Sequence, residues 1–169
     1  MRARRAARRR GRGALAALMA LAVLAPWPAR AAGGATCSIS TTPLVFGKYV
    51  PSATSPSDFT ATINLTCAAS GTTPVPIHAT IALTSAGGAS GRRLTAGARQ
   101  LRYQLYLDPA KTVLWGDGSS GNDVATVSGV VDRTTPFRQA LTVYGRILAR
   151  QSSTLVGNYG DQITVVLHY

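Results

Sequence analysis

Chemistry by a pair of carboxylates would have to come from six aspartates in this protein, because the chain contains no glutamate. Three of them, Asp108, Asp117 and Asp123, lie in or beside segments rich in proline, glycine and serine. Aspartate is favoured in such turns because its carboxylate bonds nearby backbone N–H groups. We interpret these carboxylates as turn formers, and the sequence predicts that the protein is not an enzyme.

A glycine loop, Gly116–Gly121, matches the G-x-G-x-x-G pattern of phosphate-binding loops. That chemistry needs a helix after the loop, since the helix N-terminus holds the phosphate, whereas strand-like residues follow here. Asp117, Ser119 and Asp123 alternate as calcium ligands would, but the acid expected at the twelfth position is missing. We therefore predict no cofactor and no metal.

The first 31 residues are predicted to be a secretory signal peptide. Residues 1–13 carry seven arginines and no acid, residues 14–25 are an apolar run, and Ala29-Arg30-Ala31 offers a cleavage site. The run is shorter than the roughly 20 residues of a membrane span, so we expect no stable membrane anchor after cleavage. A retained N-terminal anchor is the alternative.

The net charge of the protein is much smaller once the predicted signal peptide is removed. The chain has 18 basic and 6 acidic residues, and eight of the arginines lie in residues 1–30. Residues 32–169 then carry a net charge of only +4. The basic composition therefore belongs mostly to the export signal and does not indicate a nucleic-acid partner.

Two cysteines, Cys37 and Cys67, are the only ones in the chain. In an exported protein such a pair is expected to form a disulfide, with two buried free thiols as the alternative. A zinc site is disfavoured because His78 and His168 are not spaced as partner ligands. The bond would tie the start of the first strand to the end of the second.

Residues 32–169 show the period of strands throughout, and no segment has a helical period. Short β-rich runs alternate with turn residues, which predicts a single all-β domain, a sandwich or a barrel. Ser85–Gly97 is interpreted as a flexible loop or a pair of weak turns. The predicted strands are Cys37–Tyr49, Phe59–Cys67, Val75–Thr84, Leu101–Leu107, Thr112–Trp115, Val124–Val131, Gln139–Leu148 and Gln162–Tyr169.

The final predicted strand places four apolar side chains on one face: Ile163, Val165, Leu167 and Tyr169. No later segment follows to cover its far edge, and exposed edges promote pairing with another chain. We therefore expect either an internal solution or a second polypeptide at this edge.

One basic cluster stands out in the exported part of the chain. Arg92, Arg93, Arg99 and Arg102 lie within eleven residues. Such a cluster could contact an anionic polysaccharide or lipid head groups. A solvated loop and strand face is the plainer interpretation.

Several motifs, in this order, resemble the spore coat protein U family, which includes subunits of archaic chaperone–usher pili. The resemblance covers Cys37–Tyr169, and its most specific part is the pair of segments Leu101–Tyr106 and Trp115–Gly118. The motifs are Cys37, Val45-Phe46-Gly47-Lys48-Tyr49 with Pro51, Cys67, Leu101-Arg102-Tyr103-Gln104-Leu105-Tyr106, Trp115-Gly116-Asp117-Gly118, Val143-Tyr144-Gly145-Arg146-Ile147 and Gly157-Asn158-Tyr159-Gly160-Asp161.

This resemblance implies an immunoglobulin-like sandwich that lacks its last strand. A periplasmic chaperone would lend a strand during folding, and another subunit would replace it after passage through an usher, which is a form of β-augmentation. Ile163, Val165, Leu167 and Tyr169 would line the groove, with the Tyr169 carboxylate as the contact for the chaperone. Cleavage after Ala31 leaves only Ala32–Thr36 ahead of Cys37, which is too short to donate a strand.

The sequence therefore predicts an exported structural or adhesive subunit of a surface assembly, pilus or coat, that accepts a strand. The alternative is a self-complete secreted coat, matrix or glycan-binding module whose groove is closed by its own first strand. We expect passage through the periplasm and a final place at the cell surface or outside the cell.

Overall fold

The computed structural model describes residues 34–47, 49–119, 121–151 and 158–169. The predicted signal peptide, residues 1–31, lies outside the described residues. Within these ranges no helix is long and apolar enough to cross a membrane. The strands are β1 Ala35–Thr41, β2 Ser57–Ala69, β3 Val75–Thr84, β4 Arg93–Ala96, β5 Arg99–Tyr106, β6 Ala125–Val131, β7 Phe137–Ile147 and β8 Thr164–His168.

These strands form two antiparallel sheets, which confirms the predicted immunoglobulin-like sandwich. The larger sheet has the order β1-β2-β7-β5-β4, and the smaller one has the order β6-β3-β8. The long central ladder pairs β2 with β7 from Ser57↔Ile147 to Cys67↔Phe137. In the smaller sheet, β3 pairs with β6 on one side and with β8 on the other.

Alternation along each strand determines which side chains reach the core. In β2, Ile63, Leu65 and Cys67 are buried while the intervening residues are more exposed. The same period of two buries Leu101, Tyr103 and Leu105 of β5. The buried rows of both sheets merge into one hydrophobic cluster between them.

Two parts of the strand prediction were wrong. The segment interpreted as a loop, Ser85–Gly97, contains β4, whose pairing with β5 buries Leu94. Gly97 has a φ of 62° and connects the two strands, a conformation that glycine adopts without strain. The expected strand Thr112–Trp115 is reduced to isolated bridges at Leu114 and Trp115.

The two cysteines form the disulfide that the sequence predicted. Cys37 and Cys67 are bonded and are also direct partners in the β1–β2 ladder. Cys67 is fully buried, so the bond fastens an edge strand to the core at one end of the larger sheet. It closes a loop spanning 30 residues, and constraint of the unfolded chain is the main source of its stabilisation.

A second cross-link joins β2 to β7, near the end of β2 opposite to the disulfide. Asp58 and Arg146 are direct partners, and Nε and Nη2 of Arg146 donate to the two carboxylate oxygens, each at 2.7 Å. The ammonium of Lys111 lies 3.2 Å from Oδ2 of Asp58. The hydrogen bond from Arg146, supported by Lys111, lowers the pKa of Asp58 below its ordinary value of 3.8.

Replacing both cysteines by alanine is expected to lower the free energy of unfolding by about 3–4 kcal/mol, from the length of the closed loop. Urea denaturation of the purified chain, compared with wild type under oxidising and reducing conditions, measures the difference. A double variant as stable as the oxidised wild type would contradict a stabilising role for the bond.

The Asp58 carboxylate is expected to make part of the stability acid-sensitive. Because its pKa is lowered in the folded state, its contribution is complete above its ordinary pKa and is lost as the pH falls through the lowered value. Asp58→Asn should therefore show a smaller drop in urea midpoint between about pH 5 and pH 3 than wild type. Arg146→Gln should reduce the drop in part, because Lys111 still pairs with Asp58. An Asp58→Asn variant with an unchanged drop would contradict the assignment.

Candidate functional site

A cleft of about 290 Å³ opens between the two sheets. One wall comes from the segment after β1, and the other comes from the start of β8. Its floor is formed by inward-facing residues of the core strands. The lining residues are Thr41, Thr42, Pro43, Leu44, Phe46, Ala61, Thr62, Ile63, Leu83, Leu94, Tyr103, Leu105, Val143, Asp161, Ile163 and Val165.

The first wall exists because the chain leaves the sheet after β1. Thr42 still bonds β2, donating its N–H to the carbonyl of Thr62 at 2.9 Å. Pro43 has no N–H to continue the ladder, and the chain then crosses the inner face of β7. A Cβ on Gly145 would lie 2.6 Å from Leu44 and 3.1 Å from the ring of Phe46. Glycine at this position is therefore what allows the wall to lie close against β7.

Phe46 anchors this wall in the core. Its ring contacts Phe59 and Tyr103 edge to face, with centroid distances of 5.5 and 5.4 Å, a favourable arrangement of aromatic rings. The wall is therefore fixed against both β2 and β5. The adjacent Val45 is 70% exposed, so the side chains of the segment alternate between core and solvent.

The second wall, β8, has an unpaired edge among the described strands. It pairs with β3 alone, with Leu83↔Val165 and Ile81↔Leu167 among the partners. The backbone of Leu83 points away from β8, because its N–H donates to Gly116 at 2.8 Å and its carbonyl accepts from Arg92. Thr80, Ala82 and Thr84 therefore supply the ladder bonds to β8.

This phase determines which backbone groups β8 leaves open. The residues that exchange bonds with β3 are Thr164, Val166 and His168. The N–H and C=O groups of Val165 and Leu167 point to the opposite, unpaired edge. The side chains of these two residues face the core. The edge therefore offers backbone hydrogen bonds beside an apolar cleft.

A polar pair lies at one end of the cleft. The hydroxyl of Tyr103 donates to Oδ2 of Asp161 at 2.7 Å, and Oδ1 accepts from the N–H of Gln162. Burial, together with the bond to Asp161, raises the pKa of Tyr103, so its hydroxyl remains a donor. Gly160 is tied to Thr95 of β4 by two backbone bonds of 2.7 and 3.0 Å. These contacts fix where the chain enters β8.

The four groove residues predicted from the sequence are distributed differently. Ile163 and Val165 line the cleft. Leu167 packs against the core but is not among the cleft residues. Tyr169 is 58% exposed and was wrongly placed on the wall, because it lies beyond the end of β8. The opposite wall, with Leu44 and Phe46, was missed, although the proline that interrupts the first strand marked its start.

A family model for the Spore Coat Protein U domain matches residues 24–166. The chain belongs to the Spore Coat Protein U family. No curated protein matches it. The family consists of structural subunits of chaperone–usher pili and coats and is not an enzyme family, which supports a general role as a subunit of a surface assembly.

An exported surface location agrees with other features of this Spore Coat Protein U domain. The family suggests an exported structure. The disulfide between Cys37 and Cys67 fits an oxidising compartment, periplasmic or extracellular.

The prediction that Arg92 belongs to a surface cluster of arginines is wrong. Its side chain is only 1% exposed, and its guanidinium donates to the carbonyls of Leu83 at 2.8 Å and Ala89 at 3.4 Å. Burial lowers the pKa of Arg92. The structure leaves Arg93, Arg99 and Arg102 exposed.

The glycine loop of this Spore Coat Protein U domain is a turn held by its own side chains. Asp117 accepts from the N–H of Ser119 at 3.0 Å, and Asn122 accepts from the N–H of Gly118 at 2.8 Å. Bonds from Ser119 lower the pKa of Asp117 to about 2. Among the described residues, no three potential metal ligands come together.

Tyr103→Phe is expected to reduce the free energy of unfolding by about 1–2 kcal/mol, because Asp161 loses a hydrogen bond to its charged carboxylate. The ring contact with Phe46 is kept, so packing changes little. Tyr106→Phe is the matched control, since its hydroxyl lies on the opposite face of the same strand, and a change within about 0.5 kcal/mol is expected. Equal losses in the two variants, measured by urea denaturation, would contradict a specific role for the pair.

Proposed function

We propose that this protein is a subunit of an exported pilus or coat and that its cleft accepts a β-strand from another polypeptide. A periplasmic chaperone would supply the strand first, and a neighbouring subunit would replace it after an usher has taken up the complex. The observation that carries the proposal is the unpaired edge of β8 beside an apolar cleft.

An added strand would satisfy the backbone and the cleft together. The open N–H and C=O groups of Val165 and Leu167 provide one side of a new ladder. Alternate side chains of the incoming strand would enter the space between Leu44 and Val165. Burying three apolar side chains would contribute about 5–9 kcal/mol before the cost of ordering the strand.

The pairing of β1 favours an occupant from outside the described chain. A self-complete module would close its groove with its own first strand. Here β1 pairs with β2 along its whole length, from Ala35↔Ala69 to Thr41↔Ile63, and forms no ladder with β8. This supports the acceptor proposal over the self-complete alternative.

We expect a synthetic peptide with apolar residues at five alternate positions, separated by polar residues, to bind the purified protein. Binding should raise the midpoint of thermal unfolding in a concentration-dependent manner. Val165→Thr should weaken peptide binding about tenfold, because a hydroxyl would be buried in the cleft without a partner. Val166→Thr is the matched control, since its side chain lies on the other face of β8, and it should bind within about twofold of wild type. Isothermal titration calorimetry measures both affinities.

Peptides methylated at single backbone nitrogens extend this experiment to the ladder itself. In an antiparallel ladder the core-facing residues of the peptide bond Val165 and Leu167, so methylation there should abolish binding. In a parallel ladder the intervening residues supply those bonds, and methylation there should abolish it. If no single methylation weakens binding, or if the peptide does not bind and the protein alone is a stable monomer, the strand-acceptor function is wrong.

A further inference from the structure

The hairpin of β4 and β5 holds two arginine side chains directly against each other. Arg93 and Arg102 are partners in this ladder. The preceding partners are joined by a bond from the N–H of Tyr103 to the carbonyl of Arg92. Hydrogen-bonded and non-hydrogen-bonded pairs alternate, so Arg93 and Arg102 form the non-bonded kind, in which side chains lie closest.

This arrangement places two like charges together without an acid to neutralise them. Both side chains are exposed, and like charges directly opposite each other destabilise a ladder. All six aspartates of the chain lie in the described residues. The ion pairs found there join only Lys111 and Arg146, both to Asp58. Arg93 has a neutral partner, the side-chain oxygen of Gln100.

A third arginine extends the pair across the larger sheet. Gln104 and Arg146 are ladder partners. Gln104 and Arg102 are two residues apart on β5, so both side chains point to its outer face. Arg93 and Arg102 therefore lie directly opposite each other on β4 and β5, and Arg146 lies on β7 diagonally from Arg102, two residues further along β5. Such diagonal neighbours are about 7–8 Å apart, within reach of long side chains. We call these three side chains the basic strip. Arg146 already donates to Asp58, so Arg93 and Arg102 carry the charge that no acid neutralises.

We propose that the basic strip binds an acidic polysaccharide through the carboxylates of successive sugar units. A guanidinium presents a planar fork of donors that matches a carboxylate. An anion between Arg93 and Arg102 would turn their mutual repulsion into attraction to a shared partner. This site lies on the outer face of the larger sheet, so it is independent of the cleft and of the strand-acceptor function.

The distribution of apolar residues favours a glycan over a membrane. Proteins that lie on membranes combine basic residues with apolar side chains that enter the lipid. The large apolar residues that the described structure exposes are Val45, Val50, Val130 and Tyr169, and none belongs to β4, β5 or β7. The neighbours of the basic strip include polar side chains, with Thr95 and Gln100 on one side of the Arg93–Arg102 pair and Gln104 opposite Arg146.

The test measures binding of the full exported chain to polygalacturonate oligosaccharides at low salt. Arg93→Gln and Arg102→Gln are each expected to weaken binding about tenfold, and raising the salt to about 0.3 M should weaken wild-type binding. Arg99→Gln is the matched control, because Arg99 belongs to the same hairpin but alternates to the opposite face. Arg138→Gln, at the far end of β7, is a second control, and both controls should bind within about twofold of wild type.

Thermal unfolding separates this role from a structural one. Because they relieve repulsion, Arg93→Gln and Arg102→Gln are expected to unfold at or above the wild-type temperature. Destabilisation by both variants would show the pair to be structural and overturn the proposal. It would also be overturned by equal losses in the Arg99→Gln control, by equal binding to neutral dextran, or by binding to anionic vesicles or single-stranded DNA but not to polygalacturonate.

Discussion

The backbone of β3 constrains the rest of this structure more than any other single element. Its ladder with β6 stops at the pair Ile81↔Ala125, so the last residues of β3 need other partners along that edge. They find them in the indole of Trp115, which donates to the carbonyl of Ile81 at 2.8 Å, in the carbonyl of Gly116 and in the buried guanidinium of Arg92. These bonds fix the phase of β3. That phase determines which groups of β8 are consumed by pairing and which remain open beside the cleft.

Arg92 shows what that constraint costs. A buried guanidinium loses its hydration, and the Nε of this one has no hydrogen-bond partner among the described residues. The two carbonyls that it reaches, those of Leu83 and Ala89, would otherwise be poorly satisfied near the core. The guanidinium of Arg92 therefore supplies a hydrogen bond that the edge of β3 lacks beyond β6. Its neighbour Arg93 points to solvent because successive residues of a strand face opposite ways.

The sequence was most informative where a period of two was strong. The alternation in Phe59–Cys67 and Val75–Thr84 predicted two strands and their buried faces, and export together with two cysteines predicted the disulfide. The short strand β4 was missed because two adjacent arginines and several glycines resemble a solvated loop. No local pattern distinguishes Arg92 from Arg93. Arg92 is buried where it bonds the end of β3, and that place depends on where the ladder between β3 and β6 stops. Only the β8 wall of the cleft could be predicted. The other wall, with Leu44 and Phe46, forms because the chain after β1 crosses β7 at Gly145, where there is no side chain in the way.

The two faces of strand β5 contribute to different sites. Tyr103 points inward to the cleft, and Arg102 points outward beside Arg93. A strand added at β8 therefore leaves the outer face of β5 uncovered. If many copies stand on one surface, each held through its cleft by a strand from another polypeptide, they would present the same outward charges side by side. Contacts too weak to hold one subunit would then add up across that surface, since each bound site raises the effective concentration of the next. Avidity would thus come from the assembly itself, with no need for a tight site in any one domain.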